Sequence, residues 1–258
     1  MNYHNFVFFT ILSTFILISL IYKSAFKNGK PHCNHFITNV YLYLALSFSI
    51  VGCFIHLYNY FLNEKEDIVK YISTKKTFEQ ISNYIILSFI ISLLSIIFLS
   101  IQPLFSKRGY LFNHSIWLLF LASISVTLYP YFKSKEYSID LQRVLLMVVI
   151  IFLFMSGLVF IIPEFLKSTY NIAITGFLIA LISIIITELF LLITGQYTNS
   201  IYKIISYIVI ILFSVFISYD TSRLFHFAKI CVNSPNYPLV STNLFLDIIN
   251  IFVRSMNQ

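Results

Sequence analysis

Two aspartates stand in the last two apolar stretches of the 258-residue chain: Asp220 in LFSVFISYDT (212–221) and Asp247 in NLFLDIINIF (243–252). A charged side chain at the centre of a membrane helix costs about 2.5–3.5 kcal/mol on insertion scales, so such residues are either paired or used. Helical spacing places Ser214, Ser218 and Thr221 on one stripe, a pattern of small hydroxyl residues that favours close helix packing. It likewise aligns Asn243, Asp247 and Asn250. Each aspartate also has a structural reading: Asp220 can pair with Arg223 one turn later, and Asp247 can hydrogen-bond the flanking amides. The functional reading requires the two segments to pack together. Close carboxylates resist double ionisation and hold a proton between them; when both ionise they repel or recruit a cation. Oxygen donors suit calcium, making Asp220 and Asp247 the candidate ion site, with Asn243 and Asn250 as further donors. Glu188, in ALISIIITELFLLIT (180–194), has no charged neighbour in sequence and is read, with Arg223, as a supporting residue.

The remaining chemistry-bearing residues are sparse. His32, Cys33 and His35 cluster but lack a fourth ligand at metal-site spacing, so they read as loop decoration. Cys33, Cys53 and Cys231 show neither zinc nor redox spacing and indicate no compartment. His56 and His226 are solitary, and Glu164 and Lys167 beside Pro163 look like an ordinary segment end. No catalytic group, resident metal or cofactor is expected.

The elements that must carry these residues are set by composition. The chain is 59% hydrophobic and 10% charged, against roughly 25% charged in soluble domains. Its +7 charge is scattered over segment flanks, where cations meet headgroups, and this argues against nucleic acid as a partner. Apolar segments fall near 6–22, 36–62, 83–102, 115–132, 144–162, 172–194, 201–219 and 237–254, each close to the length of a bilayer-crossing helix. Lipid leaves no partner for open backbone groups, so helix is favoured over strand. The expected fold is an all-α, multi-pass transmembrane helical bundle, in which the polar last segment spans or is re-entrant. The first segment lacks a basic flank and an Ala-x-Ala-like site, and reads as a membrane helix or signal anchor more readily than as a cleaved signal. The longest polar connection, 63–82, reads as a solvated loop with some helix. The 17 Lys and Arg divide eight against nine between the two faces, leaning only weakly towards a cytosolic face for residues 23–30. On that orientation the sequon Asn113-His114-Ser115 stays unglycosylated.

The two aspartate segments carry a recognisable pattern. LFSVFISYDT followed by NLFLDIINIFVR (243–254) resembles the C-terminal signature of the Bax inhibitor-1 family, whose penultimate helix ends in Tyr-Asp-Thr and whose last helix has a Leu-Asp-Ile-Ile-Asn-like core. FITNVYLYLALSFSIVG (36–52) is similar to the family's first helix. The resemblance implies seven family-like helices over 31–258, preceded at 1–30 by one extra N-terminal membrane helix and loop. It further implies a non-enzymatic, pH-sensitive calcium leak of an internal membrane and suppression of programmed cell death. The membrane would be endoplasmic reticulum or Golgi in a eukaryotic or viral setting and plasma membrane in a bacterial one. Partners would be the lipid bilayer, calcium and apoptosis-regulating membrane proteins. The segment 83–102 lacks the basic residue that some members set against the aspartates as a gate. Two other classes fit the same residues: a non-conducting protein that blocks apoptosis by binding partners, and an intramembrane aspartyl protease. The protease reading is opposed by the absence of glycine after Gly195, since its second aspartate normally follows Gly-x-Gly.

Overall fold

A computed structural model describes residues 3–69, 74–105, 110–133, 138–161, 170–195, 198–231 and 234–256. It contains eight helices: α1 (Tyr3–Ala25), α2 (Phe36–Val69), α3 (Thr74–Ile101), α4 (Tyr110–Lys133), α5 (Ser138–Ile161), α6 (Tyr170–Ile193), α7 (Asn199–Ile230) and α8 (Tyr237–Met256). Seven are long and apolar enough to cross a membrane, and α6 supplies a shorter apolar stretch at Thr175–Leu191. The protein is therefore an all-α multi-pass membrane bundle. Side chains such as Phe15, Ile86, Leu146, Phe154 and Ile186 are exposed as a lipid-facing surface requires.

The helices outrun the apolar segments. Within the mixed-charge stretch 63–82, helix α2 continues to Val69 and α3 begins at Thr74, so most of the expected loop is helix. Residues 70–73 lie outside the described residues, as do Lys107, Arg108, Lys135 and the Pro163–Lys167 segment end. Helix α7 runs eleven residues past the apolar run that stops at 219, so it does not end at Tyr-Asp-Thr. Helix α8 is unbroken over 20 residues and long enough to span, which removes the need for a re-entrant turn.

Local chemistry fixes the ends. Asn236 caps α8, its Oδ1 accepting from Leu239 N at 3.2 Å, with Pro238 in the first turn where no donor is needed. Gly195, at φ 68°, closes α6 in the left-handed conformation that favours glycine. The all-helical expectation misses one feature: Phe26–Lys27 pairs antiparallel with Lys30–Pro31 as β1 and β2. Asn28 and Gly29 turn between them at φ 52° and 74°, the two-residue geometry that Asn-Gly serves best.

The chain divides into two compact units, Met1–Ser138 with Ala228–Thr242, and Ile139–Phe227 with Asn243–Gln258. In the first, α1 packs on α2, α2 on α4, and α4 on α3. The α1–α2 contact is built from small hydroxyl residues. Ser49 Oγ lies 2.8 Å from Ser13 Oγ and 2.7 Å from Thr14 Oγ1, and donates to Thr10 O at 3.2 Å. A Cβ at Gly52 would meet Thr10 Cγ2 at 3.5 Å, an ordinary contact that leaves little room for more.

At one end of this unit an aromatic knot anchors the start of α8. Tyr43 and Tyr237 are buried and stacked, with ring centroids 5.3 Å apart. The Tyr237 hydroxyl donates to His32 O at 2.6 Å and accepts from Asn39 Nδ2 at 3.1 Å. The Tyr43 hydroxyl meets His114 Nε2 at 2.7 Å. Asn236 N donates to Leu104 O at 2.8 Å, and Phe105 bridges Pro235. Asn113 is buried inside α4, so its sequon presents no exposed asparagine to a glycosyltransferase.

A disulfide joins Cys33 to Cys231 across 198 residues, with Cα atoms 5.9 Å apart. This corrects the reading of the His32–His35 cluster as decoration, and the cysteine spacing could not have shown it. No cluster of three metal-ligating side chains is present among the described residues. Six helices, α2 to α7, separate the two cysteines. A disulfide joins only groups on one side of a membrane, so an even number of these helices cross.

Candidate functional site

The second unit carries the ionisable residues. Its helices meet through the stripes read from the sequence, though not every residue plays its expected part. Ser218 Oγ donates to Met155 O of α5 at 2.9 Å, and Thr221 Oγ1 lies 3.2 Å from Ser156 Oγ. Phe160 and Phe225 pack edge to face beside them at 4.9 Å. This stripe seats α7 on α5. Ser214 instead turns back on its own helix, donating to Ile210 O at 2.7 Å. On the α6 side, Leu212 and Phe216 are buried against Phe177, Leu181 and Ile184.

This packing places Asp220 near enough to Asp247 for the two charges to interact. Asp247 is 7% exposed, and its Oδ2 is buried without a hydrogen-bond partner. Asp220 keeps 16% of its side chain exposed and faces Arg223 Nη1 across 3.8 Å, at the outer limit of an ion pair. Arg223 is 43% exposed and its guanidinium stacks over Tyr219 and Phe227, at 5.4 and 5.0 Å from the ring centroids. These contacts give the guanidinium partners besides the carboxylate.

The flanking amides do not clasp the carboxylate in the way the stripe suggested. Asn250 Nδ2 donates to Leu246 O at 2.8 Å, one turn back on α8. Asn243 and Asn250 are both half-buried on the helix that carries Asp247.

Glu188 is paired, contrary to its solitary reading. Arg254, near the end of α8, grips it with two nearly parallel bonds, Nη1 to Oε1 at 2.5 Å and Nη2 to Oε2 at 2.6 Å. The same guanidinium sits 6.0 Å from the Tyr202 ring. The pair is 16% and 21% exposed for Glu188 and Arg254 respectively. Sixty-six residues of sequence separate the partners, so no local pattern could reveal them.

The unit thus holds two dissimilar acidic sites. At Glu188 both oxygens are satisfied. At Asp220 and Asp247, two carboxylates from consecutive helices converge with one buried oxygen unmet, on the segments that carry the Tyr-Asp-Thr and Leu-Asp-Ile-Ile-Asn patterns. The model of the family described as inhibitor of apoptosis-promoting Bax1 matches residues 33–257. The chain belongs to that family. No individually curated protein matches the chain significantly. The family match begins at Cys33 and leaves α1 outside it, as an addition docked on the first family helix. Within the family's span α3 carries no basic residue from Asn83 to Ile101, and the cation that reaches Asp220 is Arg223 of α7 itself. The chain is accordingly a multi-pass membrane protein of an apoptosis-inhibiting family.

Proposed function

We propose that this protein is a pH-sensitive cation leak of an internal membrane, passing calcium and thereby limiting programmed cell death. The observation that carries the reading is the convergence of Asp220 and Asp247, with the Asp247 Oδ2 buried and without a hydrogen-bond partner. A buried acceptor in that state costs about 1–3 kcal/mol, which a proton or a bound cation relieves. Two carboxylates with nearby amide oxygens make a donor set that suits a hard divalent ion. Protons compete with calcium for the same oxygens, so acid opposes calcium and efflux falls as pH falls.

The test uses the full chain reconstituted in calcium-loaded liposomes across a pH series. Wild type should release calcium faster at higher pH, and Asp220→Asn and Asp247→Asn should each flatten the dependence. Equal, pH-independent efflux from all three proteins would overturn the reading. A double Asp-to-Asn protein that inserts normally and still protects cells from apoptotic stimuli would favour the non-conducting interaction protein instead.

A further inference from the structure

The connection from α7 to α8 is tethered differently at its two ends. At the α8 end the tethers are non-covalent: the Asn236 cap, the Asn236 bond to Leu104 O, and the stacked, doubly hydrogen-bonded Tyr237. At the α7 end Cys231 follows immediately on Ile230, the last residue of the helix, and is bonded covalently to Cys33. Cys33 stands three residues before α2, so the bond staples the end of α7 to the start of the first family helix. Opening it releases the end of α7 while leaving the noncovalent anchor of α8 in place.

The surroundings favour such an opening. Cys33 and Cys231 are both half-buried, and Asn34 and His35 beside them are exposed, so a small thiol can approach the sulfurs. Lys27, Lys30 and Lys229 are exposed within a few residues of the two cysteines. That basic rim attracts an anionic thiolate, the attacking species in exchange.

We propose that Cys33–Cys231 is a thiol–disulfide exchange site, reduced by a small carboxylate-bearing thiol, that locks and releases the end of α7. The attacking thiolate bonds to one sulfur and expels the other as thiolate. A second equivalent of thiolate then attacks the reductant's sulfur in this mixed disulfide and expels the remaining protein thiolate, leaving two protein thiols and one oxidised reductant dimer. Two electrons pass to the protein and two protons are taken up. An oxidising compartment keeps the lock closed, and a glutathione-rich one opens it. Asp220 lies ten residues before Ile230, the last residue of α7, about 15 Å along the helix axis at 1.5 Å per residue, and Cys231 follows directly. If the proposed leak is correct, the lock therefore acts on one of its two carboxylates and leaves the start of the other helix fixed.

The experiment measures hydrogen exchange and calcium efflux on the full chain in liposomes, with and without reduced glutathione, for wild type, Cys33→Ser and Cys231→Ser. Reduction of wild type should shift its mobility on non-reducing gels and remove exchange protection from residues 221–230. Residues 237–242 should stay protected, and both serine variants should match the reduced protein without added thiol. Free thiols at both positions in untreated protein, or loss of protection spread equally over both stretches, would overturn the lock. Selective loosening of α7 in a protein whose efflux also ignores Asp220→Asn and Asp247→Asn would uphold the lock and tell against the leak. Selective loosening together with an efflux change that the serine variants no longer show upholds both.

Discussion

Removing one partner of the Glu188–Arg254 pair should destabilise the protein far more than removing both. The two bonds are short and bidentate, and the groups are 16% and 21% exposed, so each charge depends on the other for its solvation. Breaking a buried pair from one side costs about 3–5 kcal/mol, and the residual exposure here places the expected loss near the lower end. For a chain of this size about 1 kcal/mol shifts the melting temperature by about 2–4 °C, so Arg254→Met or Glu188→Leu should lower it by about 6–12 °C. In the double variant both desolvated charges are gone, and replacement by apolar groups is close to neutral. The Arg254 contact with the Tyr202 ring is lost as well, worth about 0.5–1 kcal/mol. The double variant should melt within a few degrees of wild type. The assay is thermal loss of helical circular dichroism for the full chain in detergent, run as a double-mutant cycle. If the two single effects simply add in the double variant, the pair is not coupled and the argument fails.

Three further substitutions test the packing. Ser218→Val removes the bond to Met155 O, and Thr221→Val the contact with Ser156; each should cost about 0.6–1.7 kcal/mol, the range measured for polar contacts between membrane helices, read as lowered unfolding midpoints. Tyr237→Phe keeps the ring stack on Tyr43 but strips His32 O of its donor, while Asn39 Nδ2 keeps Asn34 O and Ser24 O, at a cost of about 1–3 kcal/mol, and hydrogen exchange should rise first at residues 237–242.

What the sequence disclosed follows from the range over which each interaction acts. The number and type of helices were legible because lipid demands long apolar runs, and the stripe Ser218, Thr221 was legible because helical period puts both on one face. The ends of α2, α3 and α7 were not: helices continue past the bilayer wherever the backbone remains satisfied, and polar residues such as Glu64 and Arg223 do not interrupt them. The Asn28-Gly29 hairpin was present as a local turn signal between Lys27 and Lys30, overshadowed by the helical pattern on either side. Glu188–Arg254 and Cys33–Cys231 join residues 66 and 198 positions apart, and only the folded chain brings such groups together. The aspartate site lies between these cases. Its residues were legible as insertion costs and as a family pattern, whereas the capture of Asn250 by Leu246 O was not, because an amide one turn from a backbone carbonyl has a closer partner than the carboxylate.

The contrast between the two acidic sites bears on which of them works. Glu188 and Arg254 sum to zero charge, with both carboxylate oxygens occupied, and such a site has nothing to offer a proton or an ion. Asp220, Asp247 and Arg223 sum to −1 when fully ionised, and the guanidinium touches only one of the two acids, at 3.8 Å. One proton brings that sum to zero, whereas one calcium ion takes it to +1. On the function proposed above, proton and calcium are alternatives on a single set of oxygens, and exchange between them needs no movement of a distant gate.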